Sequence, residues 1–142
     1  MLGSTDFGDA IVLADLEAGI GTLTRLQDKT VDAVLIVIEP TPKSIEVGSR
    51  AAALAAEKGL GRVVVVANRI RDDEDLARIR ATFPDAEVVA VPDDPTIVDA
   101  DRKGVAALDM APDSPAVLAL VGLARNLVAS GVVGPDGGAA AN

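Results

Sequence analysis

The sequence has no cysteine, histidine, tryptophan or tyrosine, and only two phenylalanines among its 142 residues. Without cysteine, disulfide bonds and thiolate metal sites are excluded. Without histidine, Ser-His triads and imidazole ligands are excluded, together with the commonest general base. The scarcity of aromatic rings removes the platforms on which single-stranded bases stack. Carboxylates, hydroxyls, lysine, arginine and the backbone are the groups left for chemistry.

The charge balance is strongly acidic, with 13 basic and 22 acidic residues and a net charge of −9. Nucleic acids and anionic membranes require a basic face, so we expect neither as a partner. A small anion such as a nucleotide is still possible, because local backbone groups and a cation can bind it. No apolar run approaches the roughly 18 residues of a membrane span. The first nine residues lack the features of a secretory signal, so we expect no stable membrane insertion and a cytoplasmic location.

Four apolar runs predict buried strands, and they lie at residues 10–15, 33–39, 62–68 and 87–91. Apolar residues make up 49% of the chain, enough for one core. Helical segments separate the runs, and this alternation predicts an α/β fold: a parallel sheet of about four strands flanked by helices. We expect a single domain over residues 1–132 and a disordered Gly/Ala-rich tail over residues 133–142.

Three helices are predicted to begin with the same device, a capping side chain followed by proline at the first helical position. The pairs are Thr41-Pro42, Asp94-Pro95 and Ser114-Pro115. Asp72 or Asp73 caps a fourth helix. The first helix carries a stripe of small residues that should pack close to the sheet, and the last should face inward with another stripe. These stripes are Ile45, Gly48, Ala52 and Ala55, and Val117, Val121, Ala124 and Val128.

Polar and small residues follow three of the predicted strands. They are Asp15 to Gly19 after the first strand, Asn68-Arg69 after the third and Pro92 to Asp94 after the fourth. In open α/β sheets, ligands bind outside the carboxyl ends of strands. Each residue also has a simpler interpretation: Asp15, Asn68 and Asp93 as turn or helix caps, and Arg69 as a solvated charge. Asp15 and Glu17 could also form an acid–base pair, although solvated turn carboxylates explain them better.

Four motifs in order give the chain a family resemblance: DLEAGIGTLTR, IVIEPTPKS, VVVVANR and VAVPDD. Over about residues 9–128 the chain resembles the MinD/ParA-type P-loop ATPases, and among them the carbon monoxide dehydrogenase maturation (CooC-like) ATPases. The resemblance implies ATP or ADP and Mg²⁺ as cofactors. It implies that Asp15 holds the water shell of magnesium, a role that suits a carboxylate. It also implies that Gly19 donates its amide to the γ-phosphate.

The resemblance further implies a base site formed by the later strand ends. Asn68 would bond the adenine edge with Arg69 beside it, and Pro92 and Asp93 would line the base. An asparagine amide offers both a donor and an acceptor, as a purine edge requires.

The family's phosphate loop is missing from the sequence, which contains no G-x-x-x-x-G-K-[ST] or close variant. In the family this loop precedes the region that the chain resembles, so the resemblance covers the carboxyl-terminal half of the domain. The family's metal-binding cysteine pair is absent, and Thr22 stands where histidine is usual, so nickel handling has no support. In the parent fold the loop's strand lies between the first two strands found here. We therefore expect those strands to pair directly, or a homodimer or a partner chain carrying the amino-terminal half to fill the slot.

Two hypotheses for function follow. The first is a partial or degenerate ATPase domain that binds nucleotide weakly, or acts as an ATPase when a partner supplies the phosphate loop; autonomous hydrolysis is not expected. The second is a nucleotide-free interaction module that binds a full-length relative or itself. A phosphoacceptor receiver domain fits less well, because it needs a lysine after its last strand and here that strand ends in Val91-Pro92.

Overall fold

The structure is a computed structural model, and it describes residues 11–16 and 31–130. Three strands alternate with helices in residues 31–130, and two further helices follow the last alternating one. The strands are β1 (Ala33–Ile38), β2 (Arg62–Ile70) and β3 (Glu87–Pro92). The helices are α1 (Pro42–Glu57), α2 (Asp73–Thr82), α3 (Pro95–Lys103), α4 (Ala107–Met110) and α5 (Pro115–Ala129). Gly19 and the predicted tail lie outside the described residues.

The three strands form one parallel sheet in the order β1-β2-β3. β2 lies in the centre, where Val65 is paired with Ile36 on one side and with Val88 on the other. This arrangement confirms the α/β class and the predicted order of the last three strands. β2 is the most buried strand, because it has a neighbour on both edges and helices on both faces.

Two apolar layers enclose the sheet. On one face, α1 and α2 pack over a cluster that consists of Ile36, Ile38, Ile45, Val65, Ala67, Ile79 and Phe83. On the other face, α5 covers a second cluster made of Val64, Val66, Val91, Ala116 and Leu123. None of the helices in residues 31–130 is long and apolar enough to cross a bilayer.

The strand predicted over residues 10–15 is wrong for the part that the structure describes. Residues 11–16 are in neither strand nor helix, and Leu13 is 85% exposed. The expected direct pairing of this segment with β1 is not formed, so the sheet of the described residues has three strands. An apolar run becomes a strand only when a sheet edge satisfies its backbone. Whether another chain fills the slot stays a prediction.

The predicted helix starts are confirmed, with Thr41, Asp94 and Ser114 each accepting a backbone amide at the cap. Asp72, one of the two candidates, caps α2. The predicted inward face of α5 is wrong at two of its four positions, because Ala124 is exposed and Val128 is 51% exposed, while Val117 is buried and Val121 is half-buried. The buried face instead contains Ala116 and Leu123. Apolar residues lie almost all round α5, so periodicity alone could not select the face.

Gly48 sets how closely α1 approaches β1. A Cβ at this position would lie 2.5 Å from Ile38 Cγ2 and 3.5 Å from Phe83 Cζ. We expect Gly48→Ala to lower the free energy of unfolding by about 1–3 kcal/mol, because overpacking outweighs the gain in helix propensity of about 1 kcal/mol. Chemical denaturation of the two proteins measures this difference.

Gly122 provides the matched control, since a Cβ there meets nothing within 4 Å. Gly122→Ala in α5 should raise stability by roughly 0.5–1 kcal/mol through helix propensity alone. Equal effects of the two substitutions would contradict the close packing of α1 on β1.

Candidate functional site

Polar residues from all three strands meet at the carboxyl edge of the sheet. Glu39 follows β1, Asn68 and Arg69 lie near the end of β2, and Pro92 ends β3 and precedes Asp93. Parallel pairing brings these strand ends to one edge. The structure therefore brings together the four predicted base-site residues, which are Asn68, Arg69, Pro92 and Asp93.

The end of β2 is irregular. The strand extends to Ile70, two residues beyond the predicted end, and its register with β3 shifts between Ala67 and Ile70. Within this shift Arg69 has a left-handed backbone with φ of 58°. This conformation is uncommon for a residue other than glycine and is found disproportionately at functional sites. No feature of the sequence predicts this conformation, because neither glycine nor asparagine occupies the position.

Arg69 connects the ends of the two outer strands. Its Nη1 lies 3.5 Å from Glu39 Oε1, and its Nε lies 3.5 Å from Asp93 Oδ1. All three side chains are exposed, so these ion pairs orient the groups more than they stabilise the fold. Glu39 is a member of the edge that sequence reasoning missed; its place directly after β1 was the available signal.

The amide of Asn68 is free for a ligand as far as the described residues show. The side chain is half-buried, and none of the hydrogen bonds among residues 11–16 and 31–130 involves it. Its carbonyl can accept and its amide can donate, so it can read a ligand edge that carries both functions. Pro92, also half-buried, adds an apolar surface on the same edge.

Asp94 is the buried polar residue of this edge. Its Oδ1 accepts hydrogen bonds from Thr96 N at 2.9 Å and Thr96 Oγ1 at 2.6 Å. Its Oδ2 accepts from Ala116 N, at the start of α5, at 3.2 Å. The Thr96 hydroxyl and amide, and then the Ala116 amide, lower the pKa of Asp94 to about 2. Sequence reasoning identified the cap of α3 but missed the bond to α5.

The predicted metal and phosphate residues are Asp15 and Gly19, and of these the structure describes only Asp15. Asp15 is exposed in the segment 11–16, which belongs to no strand. Gly19 lies outside the described residues, as does Glu17. Within the described ranges no group of three or more acidic side chains is placed to hold a metal ion. The roles of Asp15 and Gly19 stay predictions.

Sequence comparisons identify ATP-binding relatives, although no family model matches the chain. An uncharacterized ATP-binding protein of Methanocaldococcus jannaschii is 41% identical over 66 residues, which are 46% of this chain and 26% of that protein. The carbon monoxide dehydrogenase accessory protein CooC of Rhodospirillum rubrum is 30% identical over 102 residues, 71% of this chain and 39% of CooC. The chain thus spans less than half the length of the relatives it matches.

Solved structures show the same fold. MinD of Aquifex aeolicus superposes with a TM-score of 0.57 and 27% identity, covering 69% of this chain and 44% of MinD. Its complex with MinC matches with a TM-score of 0.53 and 28% identity over 69% of this chain and 43% of that chain, so a relative assembles with another protein. MinD of Pyrococcus horikoshii, solved with Mg-ADP, has a TM-score of 0.57 over 68% of this chain and 41% of its own; at 19% identity it supports the fold alone.

The depressed pKa of Asp94 predicts a pH dependence of stability. Because the folded pKa is about 2 and the usual value is 3.8, ionised Asp94 stabilises the fold above about pH 4, and this contribution is lost as the pH falls towards 2. Asp94→Asn should therefore lower stability at pH 7, and its profile should converge with that of the wild type near pH 2. Urea denaturation at intervals from pH 7 to pH 2 measures both profiles.

The hydrogen bond from Arg71 lowers the pKa of Asp75 as well. Asp94→Asn should therefore keep part of the wild-type loss of stability at low pH. Asp101→Asn is the control, since Asp101 is an exposed α3 residue whose side chain bonds to no described residue. Parallel profiles for wild type and Asp94→Asn would show that the carboxylate does not contribute.

Proposed function

Because the chain is a partial MinD/CooC-like P-loop ATPase domain, we propose that its carboxyl edge is the base-binding half of an adenine-nucleotide site. Asn68 bonds the adenine edge, Arg69 lies beside it, and Pro92 and Asp93 line the base. The observation that carries this proposal is the Asn68 side-chain amide, which has no hydrogen-bond partner within residues 11–16 and 31–130 and lies at an edge that β1, β2 and β3 all reach. Relatives described as ATP-binding support the choice of nucleotide.

The same edge is poorly suited to the phosphates. Glu39 and Asp93 place two carboxylates around the single guanidinium of Arg69. P-loop ATPases instead bind a triphosphate through backbone amides, a lysine and Mg²⁺ at a glycine-rich loop. The 142-residue sequence contains no such loop motif. We therefore propose that tight binding and hydrolysis of ATP require a phosphate loop supplied by a partner chain. Asp15, through Mg²⁺, and Gly19 serve the phosphates in that assembly.

Comparing two ligands tests this division of the site. Adenosine and Mg-ATP should bind the isolated chain with similar, weak affinity, with a Kd of about 1 mM, because the protein contacts only the base of either ligand. Chemical shift changes of backbone amides during NMR titration measure both constants. Phosphate release from ATP by the chain alone should equal the uncatalysed background. Binding of Mg-ATP a hundredfold tighter than adenosine would show that the chain holds the phosphates itself.

Asn68→Ala should abolish adenosine binding, because the side chain that reads the base edge is removed. Asn126→Ala is the matched control, since Asn126 is an exposed residue of α5 outside the carboxyl edge. If both variants bind adenosine as the wild type does, the ligand does not contact Asn68 and the proposed base site is wrong.

A second candidate function, an interaction module, is favoured by an uncovered apolar surface. β1 pairs only with β2 among the described strands, which leaves its other edge open. Val37, on the α5 face of β1, is 63% exposed, while its partner Val66 on β2 is 4% exposed. An open edge with an apolar side chain invites pairing with another chain. This candidate is a homodimer through β1, in which the two strands run antiparallel about a two-fold axis.

Val37→Lys tests the dimer, because a charged side chain on an edge strand prevents edge pairing. The wild type should sediment with a mass above 14.4 kDa that rises with concentration, and the variant should stay at the monomer mass. Val98→Lys, on α3 and 48% exposed, changes the net charge equally and should behave as the wild type. A wild type that stays monomeric at every concentration excludes this candidate.

A further inference from the structure

We propose that Asp94 is the positioning residue of the loop after β3, because it bonds the first turns of α3 and α5 together and so holds Pro92 and Asp93 at the base site. The effect on ligand binding rests on the proposed function, whereas the positioning of the loop rests only on the hydrogen bonds of Asp94.

Asp94 joins two helices that are distant in the chain. One carboxylate oxygen accepts from the amide and hydroxyl of Thr96 in the first turn of α3. The other accepts from Ala116 N in the first turn of α5, 22 residues further along. One side chain therefore satisfies unpaired amides at two helix N-termini, where four N–H groups have no partner within their own helix.

Directional donors, and not a neighbouring cation, hold the charge of Asp94. The residue is 8% exposed. None of the ion pairs formed within the described part of the chain reaches it. The positive ends of two helix dipoles converge on it instead. Because amide donors have fixed directions, this arrangement restricts the carboxylate, and with it the backbone of the loop, more closely than a mobile lysine would.

Asp93, which precedes Asp94, ties the loop to the sheet through a hydrogen bond that it donates. Asp93 N donates to the carbonyl oxygen of Ile70 at the end of β2, at 2.9 Å. Two consecutive residues thus fix the loop between β2 and α5. Loss of either bond should release the loop, and with it the side chains of Pro92 and Asp93 that face the proposed base.

Asp94→Asn separates the two roles of the carboxylate. Asparagine retains one oxygen that can cap α3, but its NH₂ group cannot accept the amide of Ala116. We expect the Asp93 amide to exchange with solvent about tenfold faster than in the wild type, since its protecting bond now opens with the loop. Adenosine affinity should fall about tenfold by the same loosening. Hydrogen exchange by NMR without ligand and NMR titration with adenosine measure these effects.

Asp72→Asn is the matched control. Asp72 also caps a helix, accepting from Asp75 N at 2.8 Å, but its side chain bonds to no second helix. Its variant should leave both the Asp93 exchange rate and adenosine binding unchanged. Unchanged Asp93 exchange in Asp94→Asn would overturn the positioning role even if adenosine binds. A wild type that binds no adenosine would overturn the proposed function, while the exchange rates would still decide the role of Asp94.

Discussion

The burial of β2 on both edges and both faces is the constraint on which the rest of the structure depends. Four consecutive residues, Val64 to Ala67, are at most 4% exposed. Alternate side chains of β2 belong to two different apolar clusters on the two faces of the sheet. A shift of one residue in the strand register would therefore move each side chain to the wrong face and disrupt the packing of both clusters. This fixes the register of β1 and β3 against β2. The carboxyl ends of the three strands are aligned for the same reason, and the candidate site exists because they are aligned.

The burial of β2 ends at Ala67, and the candidate site begins at the next residue, Asn68. A regular strand places consecutive side chains on opposite faces of the sheet. Beyond Ala67 the register shifts and Arg69 turns left-handed, and Arg69 then reaches side chains that follow both outer strands, Glu39 and Asp93. A left-handed residue costs about 1–2 kcal/mol in an L-amino acid chain. The buried part of β2 can sustain that cost because its own packing does not depend on Arg69.

The sequence was informative wherever one local rule acted alone. Apolar runs located the three observed strands within two residues at their ends, and proline after a capping residue located three helices. Prediction from sequence failed where the structure of a segment depends on contacts with a distant part of the chain. The run at 11–16 has strand composition but no described edge to pair with, and α5 offers two apolar stripes of which the sheet covers one. Asn68, Arg69, Pro92 and Asp93 were predictable from their places after strands. Glu39 carries the same signal, because it directly follows β1, but that signal was overlooked. The second hydrogen bond of Asp94 was not predictable, because it depends on a contact between two helices.

The edge separates selectivity from affinity. Most of the charge of a nucleotide resides on its phosphates, whereas the groups assembled here are one neutral amide, a proline ring and two carboxylates around one guanidinium. Such a surface can distinguish one base from another through the donor and acceptor of Asn68, but it offers little attraction for anionic phosphates. Affinity for a triphosphate therefore has to come from backbone amides and cations elsewhere in an assembly. The base half could keep its geometry without that part, since β2, Asp94 and the starts of α3 and α5 already hold it.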